Sequence, residues 1–382
     1  MFSAVLFFLS LYYAACIGML WRGLRRLAPC QNTRPHTFSV VIAARNEEAL
    51  LGRCLESVLN QDLPVDRFEV IVVDDRSTDG TADVVRVLQA RHPGLRLVSV
   101  TECPPGYSPK KHALRQGIAV ARNEVLLFTD ADCVVPRTWI VALDRCFDET
   151  AGAVAGLTAY HCSDKTGALL FGLQSMDFFS HTVVAAGAMG AGFPVNTNAN
   201  NFAVRRRHFD AVQGFSRVAG VVSGDDDLLL QAVSRLPGVR TRYALSPKAA
   251  VTTEPTPTFR GVWEQRKRWS SKTVYYNRPQ ALALSGIFLY YVLILLGLLL
   301  SPLFPALFAP ALTAFFFKTA LDFFLAFSGM ARFRKFDVLP WFFPLALLHI
   351  PLIVGACCFG IFGTFTWKDG RVGKKLPRRE GV

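Results

Sequence analysis

Three aspartate clusters, far apart in the chain, have residue types and spacings that could do chemistry together. In "EVLLFTDADCVVP" an apolar run of buried-strand character leads into Asp130 and Asp132, separated by one residue. Ionised carboxylates are costly beside an apolar core, so a pair at a strand end needs a reason. Alternate carboxylates there present hard oxygen ligands toward one point, which suits Mg2+ or Mn2+ bridging a diphosphate. An ordinary Asp-rich turn is the competing reading. In "SGDDDLLLQAVSRL" Asp225, Asp226 and Asp227 stand directly before an amphipathic helical pattern. One can cap that helix and another can complement its dipole, but three exceed what capping needs. Mutual repulsion and partial burial raise a carboxyl pKa, as a group that takes a proton from a hydroxyl requires. In "DDRSTDGT", Asp74 and Asp75 close a strand and Asp79-Gly80 form a turn. Asp75 can accept hydrogen bonds from a ribose hydroxyl or a base N–H; alternatively, it or Ser77 caps the next helix.

The elements that position these residues follow from hydrophobic periodicity over residues 38–245. "FSVVIAA", "FEVIVV" and "LRLVSV" read as strands, and "LLGRCLESVLNQ" and "TADVVRVLQARH" as helices. Continuous apolar strands separated by helices imply an α/β fold whose parallel sheet is covered on both faces. Right-handed crossovers then set the strand C-termini and their loops along one edge, where ligands bind. Residues 168–189 are apolar enough to pass for a membrane span, but Gln174, Asp177 and His181 give them one polar stripe. A core or membrane-facing helix of the soluble domain is expected there.

Of the 382 residues 51% are hydrophobic and 19% charged, a balance that points to a membrane protein with a soluble part. The net charge of +13 gathers beside apolar blocks, as Arg22, Arg25 and Arg26, then residues 260–272, 332–335 and 368–379. That is the positive-inside pattern, and nucleic acid is not the expected partner. The nine cysteines are scattered without a Cys-x-x-Cys pair, so reduced thiols of a cytosol-facing protein are expected. Residues 2–21 suit an uncleaved anchor followed by arginines. Three further apolar blocks cover residues 281–300, 303–327 and 340–364; in the second, Lys318 and Asp322 lie one helical turn apart and can pair. His349 and Pro351 interrupt the third, which is a crossing or a re-entrant segment. "EQRKRWSSK" places four cations and Trp269 just ahead of the first of these blocks. A helix starting near Phe259 is expected along the membrane interface, with Arg266, Lys267 and Lys272 toward lipid headgroups and Arg268 toward a diphosphate.

"VVIAARNEE", "VVDDRSTDGT", "FTDADC", "GDDDLLL" and "QRKRW" follow one another in the order and approximate spacing of glycosyltransferase family 2. The chain resembles these inverting enzymes of the GT-A fold over residues 38–272. Its Gln-x-x-Arg-Trp resembles the membrane-bound branch that includes cellulose, chitin and hyaluronan synthases and ceramide glucosyltransferase. The resemblance implies that Ala44, Arg45, Asn46, Glu47 and Asp75 hold a nucleotide sugar, with Lys110 or Lys111 near it. It implies that Asp130 and Asp132 form the Asp-x-Asp motif, Asp132 being the direct ligand of Mg2+ or Mn2+. Asp226 matches the general base; Asp225, where many relatives carry glutamate, leaves one residue of choice. Gln265, Arg268 and Trp269 would line the acceptor and diphosphate end, with Asn200 and Asn201 on the acceptor side.

The expected organisation is an anchor at residues 1–22, a GT-A domain at 36–258, an interfacial segment at 259–279, a membrane region at 280–366 and a basic tail at 367–382. The tail's Trp-Lys-x-x-Arg pattern is expected to fold back toward the diphosphate from the cytosolic side. The expected reaction is transfer from a nucleotide-diphosphate sugar, a UDP-hexose, to a lipid hydroxyl, giving a β-glycoside. It takes place at the cytosolic face of the inner membrane. A processive polysaccharide synthase is the alternative, and a non-catalytic nucleotide-sugar-binding subunit the second.

Overall fold

The computed structural model describes residues 1–161, 166–367 and 370–372. A first helix, α1 (Phe2–Arg26), leads into β1 (Phe38–Ala44), α2 (Glu48–Leu59), β2 (Phe68–Asp75), α3 (Thr81–Gln89), β3 (Leu95–Val100), α4 (Pro109–Val120) and β4 (Val125–Phe128). Then follow α5 (Trp139–Asp144), β5 (Ala151–Gly156), β6 (Thr158–Tyr160), α6 (Ala168–Gly190), β7 (Phe202–Arg205), α7 (Arg206–Ala211), α8 (Asp227–Val233), β8 (Arg240–Ala244) and β9 (Val251–Thr253). The last part holds α9 (Phe259–Ser271), α10 (Arg278–Leu299), α11 (Phe308–Phe333), α12 (Phe342–Phe362) and a short hairpin of β10 (Phe365–Trp367) and β11 (Gly370–Val372).

Seven strands form one sheet in the order β3-β2-β1-β4-β7-β5-β8, parallel across β3, β2, β1 and β4 and antiparallel where β7 joins β4 and β5. Alternate side chains feed two cores, as the period of a strand dictates. Val40, Ile42 and Leu127 pack with α2 and α5, whereas Val41, Ile71 and Leu126 pack with α4 and α6. The second core runs on without a break into Tyr290, Ile294, Met330 and Ile350 of α10, α11 and α12. Because β1, β2 and β4 run parallel, Ala44, Asp75 and Asp130 emerge at one edge.

Four helices among the described residues are long and apolar enough to cross a membrane: Phe2–Arg26, Arg278–Leu299, Pro305–Phe333 and Phe336–Phe362. Helix α6 belongs to the core, with Met176, Phe179 and Ala186 buried. The polar stripe is put to use: Gln174 bonds the backbone of Thr256, and Asp177 pairs with Arg266. Both ends of α12 rest on the α/β part of the chain. Trp341, just before it, lies over Gly172 of α6, and its Gly355 and Gly360 face Trp263 and the Lys267 backbone of α9.

Two expectations are corrected. Cys30 and Cys146 are joined by a disulfide, which a separation of 116 residues without a motif did not announce. Arg266, Lys267 and Lys272 are 2%, 8% and 7% exposed and do not reach for headgroups. Their charges are met from within, by Asp177, by Glu264 with the Thr364 carbonyl, and by Asp226 and Asp227. The pairing of Lys318 with Asp322 is present at 2.7 Å.

Helices α1 and α6 meet backbone to backbone. A Cβ at Gly23 would stand 1.9 Å from the Gly187 carbonyl oxygen, and one at Gly190 would stand 2.1 Å from that of Gly23. Overpacking such a contact costs about 1–3 kcal/mol. Gly23→Leu is therefore expected to lower the melting temperature of the purified protein in detergent by several degrees. Gly18→Leu, with nothing within 4 Å, is the neutral control.

Candidate active site

The strand-end residues open onto one cavity of about 800 Å3. Its floor comes from the sheet edge, with Ala44, Arg45, Glu47, Asp75, Asp130 and Asp132. Asn46 lies just behind, at φ 54°, its side-chain oxygen accepting from the Thr78 N–H at 2.8 Å. Arg76 holds the Asp75 carboxylate at 2.8 and 3.1 Å.

Lys110, at the start of α4, ties two clusters together. Its ammonium lies 2.7 Å from Asp130 and 3.1 Å from Asp225. Although burial disfavours the charge, these two carboxylates push its pKa above the usual lysine range. Lys111 turns the other way. It is 1% exposed and donates to the carbonyls of Val218, Val221 and Ser223 at 3.0, 2.8 and 3.0 Å. Burial brings its pKa down to about 8. It organises the loop that presents the aspartates, and Lys110 takes the place at the cavity.

Gly224, at φ 80°, supplies the left-handed turn from which the three aspartates leave in separate directions. Burial pushes Asp225 up, but Lys110 and then Lys111 bring it down to about 2. Asp226 caps α8: one oxygen accepts from the Asp227 N–H at 2.7 Å and lies 3.3 Å from Lys272, and the other accepts from the Ala199 N–H at 3.0 Å. Burial, then the Asp227 charge, raises it to about 6, with Lys272 opposing. Asp227 is 1% exposed and fully engaged by the Thr197 N–H, Lys272 and the Tyr276 hydroxyl. All three line the cavity, and Asp226 does so with a carboxyl raised to about 6.

Helix α9 closes the opposite wall with Gln265, Arg268 and Trp269. Burial lowers the pKa of Arg268, and Asp225, Asp130 and Asp226 oppose that from around it, so the guanidinium stands among the carboxylates. Arg266 stacks on the Trp269 ring at 4.1 Å, and His181 meets that ring edge-on at 5.7 Å. Asn200 lines the cavity, its oxygen held by Thr158 at 2.9 Å. Asn201 is fully buried behind it, bonded to Trp139, Leu157 and Ala249. Lys272 and Tyr276, which position two of the aspartates, were not foreseen in that role; the only signal was a cation one helical turn after Arg268.

The donor set suits a divalent cation shared with a ligand. Burial, then Asp130 and Glu47, raises Asp132 to about 6, a repulsion that a cation relieves. Among the described residues no group of three or more His, Cys, Asp or Glu is arranged to hold a metal unaided. Mg2+ characteristically takes one or two carboxylates and completes its shell with phosphate oxygens and water. The Trp-Lys-x-x-Arg tail falls largely outside the described residues, although Gly370 of β11 reaches the cavity.

A family model described as glycosyltransferase like family 2 matches residues 35–272. The chain belongs to that family. Similar proteins include the probable glycosyltransferase YdaM of Bacillus subtilis (strain 168), 30% identical over 241 residues, which are 62% of this chain and 55% of that protein. The beta-monoglucosyldiacylglycerol synthase of Synechocystis sp. (strain ATCC 27184 / PCC 6803 / Kazusa) is 26% identical over 238 residues, 60% of this chain and 46% of its own. The chain thus spans about half the length of the curated relatives it matches. Among solved structures, the mannosyltransferase PcManGT from Pyrobaculum calidifontis, in complex with GDP-Man and Mn2+, superposes with a TM-score of 0.60 at 22% identity. The match covers 94% of this chain and 99% of that one. The fold is GT-A.

Lys111→Met is expected to cost about 3 kcal/mol of stability, because three buried carbonyls lose their donor. Lys110→Met, which leaves Asp130 and Asp225 without their shared cation, should cost at least as much in the same denaturant titration.

Proposed function

We propose that this family 2 chain is an inverting glycosyltransferase that moves a hexose from a UDP-linked donor to a hydroxyl of a membrane lipid, giving a β-glycoside. One observation carries the reading: the cavity that holds Asp75, Asp130, Asp132 and Asp226 also has apolar walls from helices suited to the membrane. Ile17 and Leu20 of α1, Leu284 and Ile287 of α10 and Ile353 of α12 line it. A sugar polymer gains nothing from such walls, whereas a lipid chain fits them. The glucosyldiacylglycerol-synthesising relative supports the same acceptor class. A subunit that only bound nucleotide sugar would have no use for a buried carboxyl poised like Asp226.

In the proposed reaction the acceptor oxygen forms a bond to the anomeric carbon from one side as the bond to the diphosphate oxygen breaks on the other. Asp226 takes the hydroxyl proton, held in place by the Ala199 N–H and Lys272. Asp75 and the segment from Ala44 to Glu47 hold the nucleoside. Arg268 and Lys110 stand where the diphosphate's negative charge grows. Asp132 with Asp130 would hold a Mg2+ or Mn2+ ion, which when bound would supply further positive charge to the leaving group. Gln265, Trp269 and Asn200 border the acceptor.

In the proposed arrangement α1, α10 and α11 cross the inner membrane, and the α/β domain faces the cytosol. The contacts at both ends of α12 support a helix that lies in the interface and returns the chain to the nucleotide side. The hairpin held by Glu264 at Thr366 fits that side.

Two measurements test the reading. Purified protein with UDP-hexoses and total membrane lipid should yield labelled glycolipid, and Asp226→Asn should reduce transfer by at least about 100-fold. A base must be ionised to act, so with a carboxyl near 6 the rate should rise with pH through about 6 and fall tenfold per unit below it. A flat profile from pH 5 to 7, or label only in polymer, would defeat the assignment. Asp132→Ala should weaken Mn2+ and UDP binding together in calorimetry, by at least tenfold each.

A further inference from the structure

Among the apolar walls lies a second set of polar groups that the transfer reaction does not use. Tyr13 of α1, Tyr291 of α10, Lys318 and Asp322 of α11 and His349 of α12 form one connected network. Tyr13 donates to Asp322, and the Tyr13 and Tyr291 hydroxyls are 3.0 Å apart. The Lys318 ammonium lies 2.7 Å from Asp322 and 2.8 Å from His349 Nδ1. Lys318 is completely buried, whereas Tyr13, Tyr291 and His349 line the cavity.

Hydrogen-bonding capacity fixes where the protons sit. An ammonium only donates, so His349 Nδ1 accepts and the ring proton is on Nε2. Tyr13 commits its single proton to Asp322, so Tyr291 must donate to Tyr13 and keeps oxygen lone pairs to spare. What remains for the cavity is one donor, His349 Nε2–H, and one acceptor, Tyr291 Oη, on rings whose centroids are 5.7 Å apart. Lys318 and Asp322 cancel each other, so an ionised ligand would find no compensating charge. A carbonyl could use only the donor. A hydroxyl satisfies both groups.

We propose that Tyr291 and His349 form a subsite for a hydroxyl on the lipid part of the acceptor, so that hydroxylated lipids are selected. This rests on the lipid-acceptor reading above. Tyr276, just before α10, donates to Asp227, and Tyr291 lies 13 residues beyond Arg278, the start of α10, about 20 Å along the helix and away from that end. The group recognised therefore belongs to a hydrocarbon chain and is not the hydroxyl under attack.

The test uses the full chain in nanodiscs with a UDP-hexose it consumes. The acceptors are 1,2-distearoylglycerol and a series in which one stearoyl chain carries a single hydroxyl at successive positions. Wild type should show a KM about tenfold lower for one stretch of positions than for the plain lipid, the size expected of one added hydrogen-bonded group. In Tyr291→Phe that ratio should collapse to near one, a readout that a general loss of stability would not move. A ratio near one at every position in wild type, or a tenfold ratio kept in Tyr291→Phe, would overturn the subsite. Transfer to none of these lipids while labelled product forms on a polymer would instead remove the lipid-acceptor reading, and this subsite with it.

Discussion

Five aspartates are packed around one end of a cavity, and the rest of the molecule is arranged to make that tolerable. A buried carboxylate without a partner costs several kcal/mol. Four of them are answered by a group from a distant segment: Asp130 and Asp225 by Lys110 of α4, and Asp226 and Asp227 by Lys272 at the end of α9. Charge neutralisation therefore ties the sheet edge, the α8 cap and α9 to one another. The same balance sets the acidities apart, Asp225 near 2 and Asp226 near 6, although the two are neighbours in sequence. Asp132, with Asp130 and Glu47 acting on it, is left short of positive charge, a deficit that the divalent cation of the proposed reaction would fill.

The α/β layer and the apolar helices share one core. Helix α6 joins them, sending Gln174 to Thr256 just before α9 and Asp177 to Arg266 within α9, while its glycines lie against the backbone of α1. The sheet-edge end of the cavity and its apolar end are accordingly parts of a single packed body, within which Phe178, His181 and Arg266 hold Trp269.

Strands β1 and β2 were legible because doubly covered parallel strands are continuously apolar, and their polar C-terminal residues mark the ligand edge without ambiguity. Phe259 as the start of α9 was legible too, since a threonine cap precedes it. Which of two adjacent lysines reaches the cavity was not, because neighbours on a helix point about 100° apart and the phase is set by packing. The cations of "EQRKRWSSK" misled for a related reason. The partners of Arg266 and Lys272, namely Asp177, Asp226 and Asp227, lie 40 or more residues away, and a basic run beside an apolar block reads as lipid-facing until those acids are placed. The disulfide between Cys30 and Cys146 was hidden by the same distance.

The joint lining of the cavity by sheet-edge loops and by α1, α10 and α12 has a kinetic consequence for the proposed enzyme. Its two substrates arrive through different phases. Donor encounters scale with bulk molarity, but acceptor encounters scale with mole fraction in the surrounding bilayer, so adding inert phospholipid at constant acceptor would slow turnover by surface dilution alone.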